Sequence, residues 1–353
     1  MPLVSVVMPA FNAGTSIVRA VRSILDQTFA DLEIVVVDDG SEDNTSNQVE
    51  ALKDPRIRLL RLETNSGIAV ALNHAILNSS GQIIARMDAD DWASPTRLSK
   101  QCSLIGSSPQ VGVLGAQMRT STPGSIQWNM PLSHEGIKTR LIFGTPMHHP
   151  TVVFDRHRLP ESSLVYDPST VPAEDYWLWA RLIVEHQVRF ANHPESLLLY
   201  SSKPIDWTFP DENGVGHGSA ASLFVAGKLG LITSSEEESL FLVLCATTQA
   251  RRVDFADLLD FSNLLRKRIL EIGWSNVSTV DNELRHRWYC VGKAGFRIGF
   301  HRQASGLSAR NASLLALYQA GRVAQLLRTN PAARKLYGNV QRTWSRAEQR
   351  SVE

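Results

Sequence analysis

Between Leu3 and Met87 the chain alternates four times between a short apolar run and a stretch whose apolar residues recur at helical spacing. The runs at Leu3–Met8, Ile34–Val37, Ile57–Leu62 and Gln82–Met87 have the character of buried strands. Ile17, Val21, Ile24 and Leu25 predict a first helix, from about Thr15 to Gln27. Asp43 or Asn44 can cap a second running towards Leu52. Ile68, Leu72, Ala75 and Ile76 share one face of a third, which Gly81 stops. This order predicts an α/β fold with a mostly parallel central sheet flanked by helices.

Ligands of such sheets sit beyond the carboxyl ends of the strands. Four strands deliver Phe11-Asn12, Asp38-Asp39, Asn65–Gly67 and Asp88–Asp91 to that one edge. The last is the most demanding, because an apolar run ends in three carboxylates within four residues, and buried charge is costly unless paired or metal-bound. Asp88-Ala89-Asp90 suits Mg²⁺ or Mn²⁺, which take a carboxylate or two together with substrate phosphates. It equally suits a solvated acidic turn before a helix near Pro95. A carboxylate of Asp38-Asp39 can accept hydrogen bonds from a base edge or ribose, or the stretch can simply form a turn and helix cap. No glycine-rich phosphate loop follows any strand, so a diphosphate bound here would have to be neutralised by metal.

Further along, helices are expected from Pro95 to Ile105 and over Glu135–Phe143, strands at Val111–Met118, Thr151–Phe154 and Leu197–Tyr200, and turns at Ser121–Gln127. Glu174-Asp175 opens a helix; one of the pair can serve as a general base, or both can complement the helix dipole. His148-His149 can line a site or be structural. The Pro- and Gly-rich stretch Lys203–Gly218 places the domain boundary, with one domain over 1–203 and a mainly helical region over 204–353. In the latter, Leu240–Cys245, Phe255–Leu270 and Leu314–Leu327, the last interrupted near Gly321, carry apolar residues at helical spacing.

The 353 residues are 43% hydrophobic and 20% charged, as in globular proteins, but the net charge of +1 conceals an asymmetry. Between 284 and 347 there are twelve Lys and Arg and no Asp or Glu, so an acidic body carries a basic tail. The tail's arginines are interleaved with Trp288, Tyr289, Phe296, Phe300, Tyr318, Tyr337 and Trp344. It suits either peripheral contact with an anionic membrane surface or a cap packed on the acidic body, and no nucleic-acid motif is present. Cys102, Cys245 and Cys290 are isolated, which fits a reducing compartment and argues against a disulfide framework or zinc cluster. The chain opens on a strand rather than a signal peptide, and no apolar run reaches about 18 residues, so a cytoplasmic protein is expected. Neither a G-x-S-x-G elbow nor a nucleophilic Cys points to a hydrolase.

Taken in order, Val4–Asn12, Ser23–Thr28, Val36–Ser41, Asn65–Ala69, Asp88–Asp91 and Glu174-Asp175 resemble the family 2 glycosyltransferases of bacterial cell-surface polysaccharide synthesis, over about residues 3–200. The resemblance implies the GT-A fold, a nucleotide-sugar donor, inversion at the anomeric carbon and a Mn²⁺ or Mg²⁺ cofactor. By position, Pro9, Ala10, Phe11 and Asp39 resemble the base contacts, with Asn65 and Gly67 in the same donor-binding set. Asp88 resembles the carboxylate near the ribose and sugar and a second metal ligand, Asp90 the metal ligand, and Asp175 the catalytic base with Glu174 beside it. Asp91 reads as the start of the next turn, and His149-Pro150-Thr151 resembles the segment near the acceptor cleft. Where many relatives carry Tyr-Arg-x-His, this chain has Tyr200-Ser201-Ser202-Lys203, leaving Lys203 as a candidate phosphate-facing charge.

These expectations describe transfer of a sugar, from a UDP-sugar by preference, to a glycan or lipid-linked hydroxyl. A sugar nucleotidyltransferase would want a basic, Gly-rich loop after the first strand, where Ala10–Gly14 stands instead. A catalytically inactive nucleotide-sugar-binding module is the non-enzyme alternative, set against filled base and metal positions.

Overall fold

The sheet is assembled from β1 (Val4–Ala10), β2 (Leu32–Asp38), β3 (Ile57–Arg61), β4 (Ile83–Arg86), β5 (Trp92–Ala93), β6 (Val111–Thr120), β7 (Val153–Asp155) and β8 (Arg189–Tyr200). Interleaved with these are α1 (Ile17–Leu25), α2 (Thr45–Glu50), α3 (Ile68–Leu77), α4 (Arg97–Gly106), α5 (His134–Leu141) and α6 (Glu174–Ala180). The computed structural model describes residues 3–121, 129–201, 217–245, 253–293, 298–299, 314 and 316–320. It divides into two compact units, Met1–Trp207 with Ala220–Lys228, and Thr208–Ser219 with Leu229–Glu353. The expected boundary at 203/204, the turns expected from 122, Gly321 and Lys203 lie outside the described residues.

In the first unit the strand order is β3-β2-β1-β4-β7-β6-β8-β5. The first four pair in parallel, as the strand–helix alternation requires. Every residue of β1, β2 and β4 is buried, which is why these strands are mostly apolar, and the buried Ser5 of β1 and Glu33 of β2 bond to each other at 2.6 Å. Ile17, Ala20, Val21 and Ile24 of α1 meet Val4, Val6 and Met8 in one core. Gly81 lets the chain enter β4 against β1, since a Cβ there would stand 2.6 Å from the Ser5 nitrogen.

Beyond β4 the sheet is mixed. β7 runs antiparallel to β4 and β6, β5 antiparallel to β8, and β6 parallel to β8 with register shifts near Gln117. Thr151 lies in a 3₁₀ turn over His149–Thr151 and not in a strand, because Pro150 has no N–H to give to a ladder. Instead of the short strand expected at 197–200, β8 extends over twelve residues.

In the second unit, α8 (Ser235–Cys245), α9 (Phe255–Glu271) and α10 (Val277–Lys293) bury Leu258, Leu265, Leu284 and Trp288. Arg268 on α9 grips Glu237 in the first turn of α8 through two bonds of 2.7 and 2.9 Å, holding that carboxyl down at about 2. A short parallel pair joins β9 (Val253–Asp254) to β10 (Ile298–Gly299). Spanning the unit boundary in sequence, α7 (His217–Lys228) contributes Ser222 and Phe224 to the first unit, against Tyr176 and Trp177. Among the described residues no helix is long and apolar enough to cross a membrane.

Candidate active site

β1 has β2 on one side and β4 on the other, so the topology switches direction between β1 and β4. A crevice opens at the carboxyl ends of strands where that happens. Phe11 follows β1 into it with 46% of its surface exposed, whereas Pro9 and Ala10 are buried in the strand end. Of these three expected base contacts, only Phe11 presents its side chain to solvent.

Asp39, Asn65 and Gly67 come together at the ends of β2 and β3. The buried Asp39 carboxylate accepts from the Ser66 and Gly67 amides, both at 2.8 Å, and Asn65 Oδ1 also accepts from Gly67 at 3.1 Å. Gly67 has φ +91 as it opens α3, a conformation that favours glycine. Asp39 therefore shapes the loop after β3 while keeping lone pairs for a ligand.

At the end of β4, the buried Arg86 guanidinium closes on both oxygens of Asp88, each at 2.6 Å. Asp90 is exposed, and its carbonyl accepts from Arg19 of α1 at 2.5 Å. Asp91 does more than begin a turn. Its side chain is completely buried, Oδ1 accepts from the Ser201 amide at 2.8 Å, and Oδ2 has no partner. The loop after β4 is thereby tied to the end of β8. Burial and Asp88 push the Asp90 carboxyl up, and the same two causes push Asp91 to about 8.

Glu174 and Asp175 open α6, with Glu174 close enough to Asp88 for their charges to interact. Glu174 is buried with Oε2 unpartnered, and burial raises its carboxyl, with Asp88 adding to the shift. Asp175 is half-buried and accepts from the Tyr176 amide at 2.6 Å; burial and the adjacent Glu174 push it up to about 7. Between these groups lies the Tyr166 hydroxyl, which feels Arg86, Asp175, Glu174 and Asp88 and is raised, mainly by burial. It meets His149 Nε2 at 2.9 Å. His149 is held well below its ordinary value by burial, and its ring packs on Tyr166 and Trp179, so the structure gives it a packing role. Thr151 is likewise buried, hydrogen-bonded to Ala116 and His148.

Among the described residues no cluster of three or more His, Cys, Asp or Glu side chains is disposed to ligate an ion. The donor set nevertheless fits a hard cation that completes its shell from a phosphate. Asp90 is exposed with no described side chain on its carboxylate, Asp91 has an orphaned oxygen, and the Asp90, Asp91, Glu174 and Asp175 carboxyls are all raised. Negative charge is in excess here. Asp88 is the weaker ligand, since Arg86 already occupies both its oxygens.

Sequence reasoning passed over Arg86, Tyr166 and Arg19. The i, i+2 spacing of Arg86 and Asp88 on an extended chain was a usable signal for the first. Tyr166 had none: it lies in irregular chain and is held by the Asn73 side chain, which donates to its carbonyl at 2.7 Å and accepts from its amide at 2.8 Å.

The description "Glycosyl transferase family 2" applies to a family model matching residues 5–155. The chain is 34% identical over 216 residues to an uncharacterised glycosyltransferase of Haemophilus influenzae, covering 56% of this chain and 65% of that one. It is 32% identical over 190 residues to the Escherichia coli UDP-Glc:alpha-D-GlcNAc-diphosphoundecaprenol beta-1,3-glucosyltransferase WfgD, covering 54% and 73%. The matched segment thus spans about two thirds of the Haemophilus protein. Among solved structures, Staphylococcus aureus TarS 1–349 in complex with UDP-GlcNAc superposes with a TM-score of 0.56 over 92% of this chain and 91% of that one, at 17% identity. That likeness is one of fold. With the switch-point crevice, the acidic loop after β4 and the extent of the match to WfgD, the chain belongs to the family 2 glycosyltransferases.

Proposed function

We propose that this chain is an inverting glycosyltransferase that moves a sugar from a nucleoside-diphosphate donor, a UDP-sugar by preference, to a hydroxyl of a glycan or lipid-linked acceptor in surface polysaccharide synthesis. The observation that carries the reading is Asp175, a half-buried carboxyl pushed up to about 7 beside Glu174, which in turn feels the charge of Asp88. A group with that affinity for protons can take one from an attacking hydroxyl near neutral pH. Glu174 sustains the shift by adding negative charge beside it. Phe11 offers an exposed ring to the base, while Asp39, Asn65 and Gly67 shape the neighbouring loop. Asp90, with Asp88 as second candidate, would hold Mn²⁺ or Mg²⁺, and such an ion supplies positive charge to a departing diphosphate. Arg86 keeps Asp88 oriented. In this reading the basic, aromatic-containing tail meets an anionic membrane surface that carries a lipid-linked acceptor. Liposome co-sedimentation with and without residues 321–353, a truncation that spares the buried Leu284, Trp288, Leu314 and Tyr318, tests that part, and equal partitioning removes it.

The central test is Asp175→Asn, assayed with a panel of nucleotide sugars. Donor binding should persist while turnover falls by about a thousandfold. Retained turnover sinks the assignment of the base, and a product with retained anomeric configuration sinks the inverting course.

A further inference from the structure

Arg19 stands on the exposed side of α1, yet its Nη2 reaches the Asp90 carbonyl, 71 residues away in sequence. Its charge is close enough to favour the ionised Asp90 carboxylate. The other arginines at this loop are buried and engaged. Arg86 closes on Asp88, and Arg97 donates to Gln101 and to the Arg86 carbonyl. Among the described residues Arg19 forms no ion pair, and the bond to Asp90 uses one of a guanidinium's five N–H donors. A long cation whose tip is pinned by a backbone carbonyl loses less freedom on gripping a ligand than one that swings in solvent.

We propose that Arg19 binds the diphosphate of the nucleotide donor, its guanidinium pinned to the Asp90 carbonyl and its remaining donors directed at phosphate oxygens. This rests on the donor-binding reading above and adds to it a residue from α1, an element outside the strand ends. Three observations support it: an exposed cation at the rim of an excess of carboxylates, no glycine-rich loop to cradle phosphate, and a carbonyl that fixes where the cation points. The rival account is a tether that merely orders the loop after β4.

Wild-type, Arg19→Gln and Arg19→Lys chains are titrated calorimetrically, with Mn²⁺ present, against UDP or GDP (whichever the wild type binds) and against the matching nucleoside. Arg19→Gln should weaken the diphosphate by about tenfold, with a shallower salt dependence, and leave the nucleoside unchanged. Arg19→Lys should recover most of the loss. Wild-type diphosphate affinity in Arg19→Gln overturns the proposal while leaving the donor-binding reading intact. Equal weakening of diphosphate and nucleoside also overturns it, in favour of the tether. A wild-type chain that binds neither diphosphate overturns both readings.

Discussion

Arg86 and Asp88 face each other across a two-pronged contact, both N–O distances 2.6 Å, with the arginine almost wholly buried at the end of β4. The pair fixes the first carboxylate of the acidic loop from below and leaves Asp90 to project outward. Removing the cation strands a partly buried anion. Arg86→Met is therefore expected to cost about 3 kcal/mol in urea unfolding, and Arg86→Met with Asp88→Asn should recover a third or more of that loss. A double variant no more stable than the single one would mean that the pair contributes little.

Asp175 sets the pH response. Deprotonated, it can accept a proton; at about 7, half of it is in that form at neutrality. Below that point kcat/KM should fall about tenfold per pH unit, and it should level off above pH 8. The shift acts on stability with the opposite sense. A carboxyl raised from 3.8 to about 7 in the folded state disfavours the fold as pH climbs through that window. Asp175→Asn should therefore unfold at a higher temperature than wild type at pH 8, with the difference vanishing near pH 4.

Asp90 is the exposed carboxylate of its loop, and cation binding should depend on it. Free Mn²⁺, followed by its paramagnetic resonance signal, should fall when wild-type chain and UDP are both present. Asp90→Ala should weaken that uptake by at least about tenfold. EDTA should lower UDP affinity in wild type and have little further effect on the variant.

Two glycines give a matched pair of stability measurements. A Cβ at Gly81 meets the Ser5 nitrogen at 2.6 Å and the Val4 carbonyl carbon at 2.9 Å, backbone atoms of a fully buried strand that cannot step aside. Gly81→Ala should cost about 2 kcal/mol or more. At Gly106, the last residue of α4, a Cβ meets nothing within 4 Å, so Gly106→Ala should raise stability by about 0.5 kcal/mol.

The parallel half of the sheet was legible because β1, β2 and β4 are buried on both faces, so apolar residues dominate them and polar exceptions such as Ser5, Glu33 and Arg86 are held by partners. The turns that end these strands carry Asp39, Asp88 and Asp90 as local, polar punctuation, which a sequence displays directly. The mixed half was harder. β7 is three residues long and β8 is irregular against β6, so neither carries a clean period.

Within the site, the carboxylates were visible and their partners were not. Arg86 lay inside an apolar run where a charge looks like an interruption, and its meaning came from Asp88 closing on it. Tyr166 and Arg19 reach the site through contacts of long sequence separation, Asn73 with Tyr166 and Arg19 with Asp90, for which no local spacing exists. Asp91 looked dispensable because its partner is a backbone amide more than a hundred residues away.

The Asn73 side chain meets Tyr166 as a neighbouring strand would, one donor and one acceptor set against one peptide unit. That makes Asn73 a docking address on α3 for the irregular chain between β7 and α6, recognised by main-chain groups, while the Tyr166 ring packs on His149 and Arg181 holds the Ser163 and Val165 carbonyls. Loops taken from other members of the family could thus be grafted into this interval, provided each returns a tyrosine with Tyr166's backbone geometry to the same address and to His149. The scaffold would keep its donor chemistry while the graft alters which acceptors it accommodates.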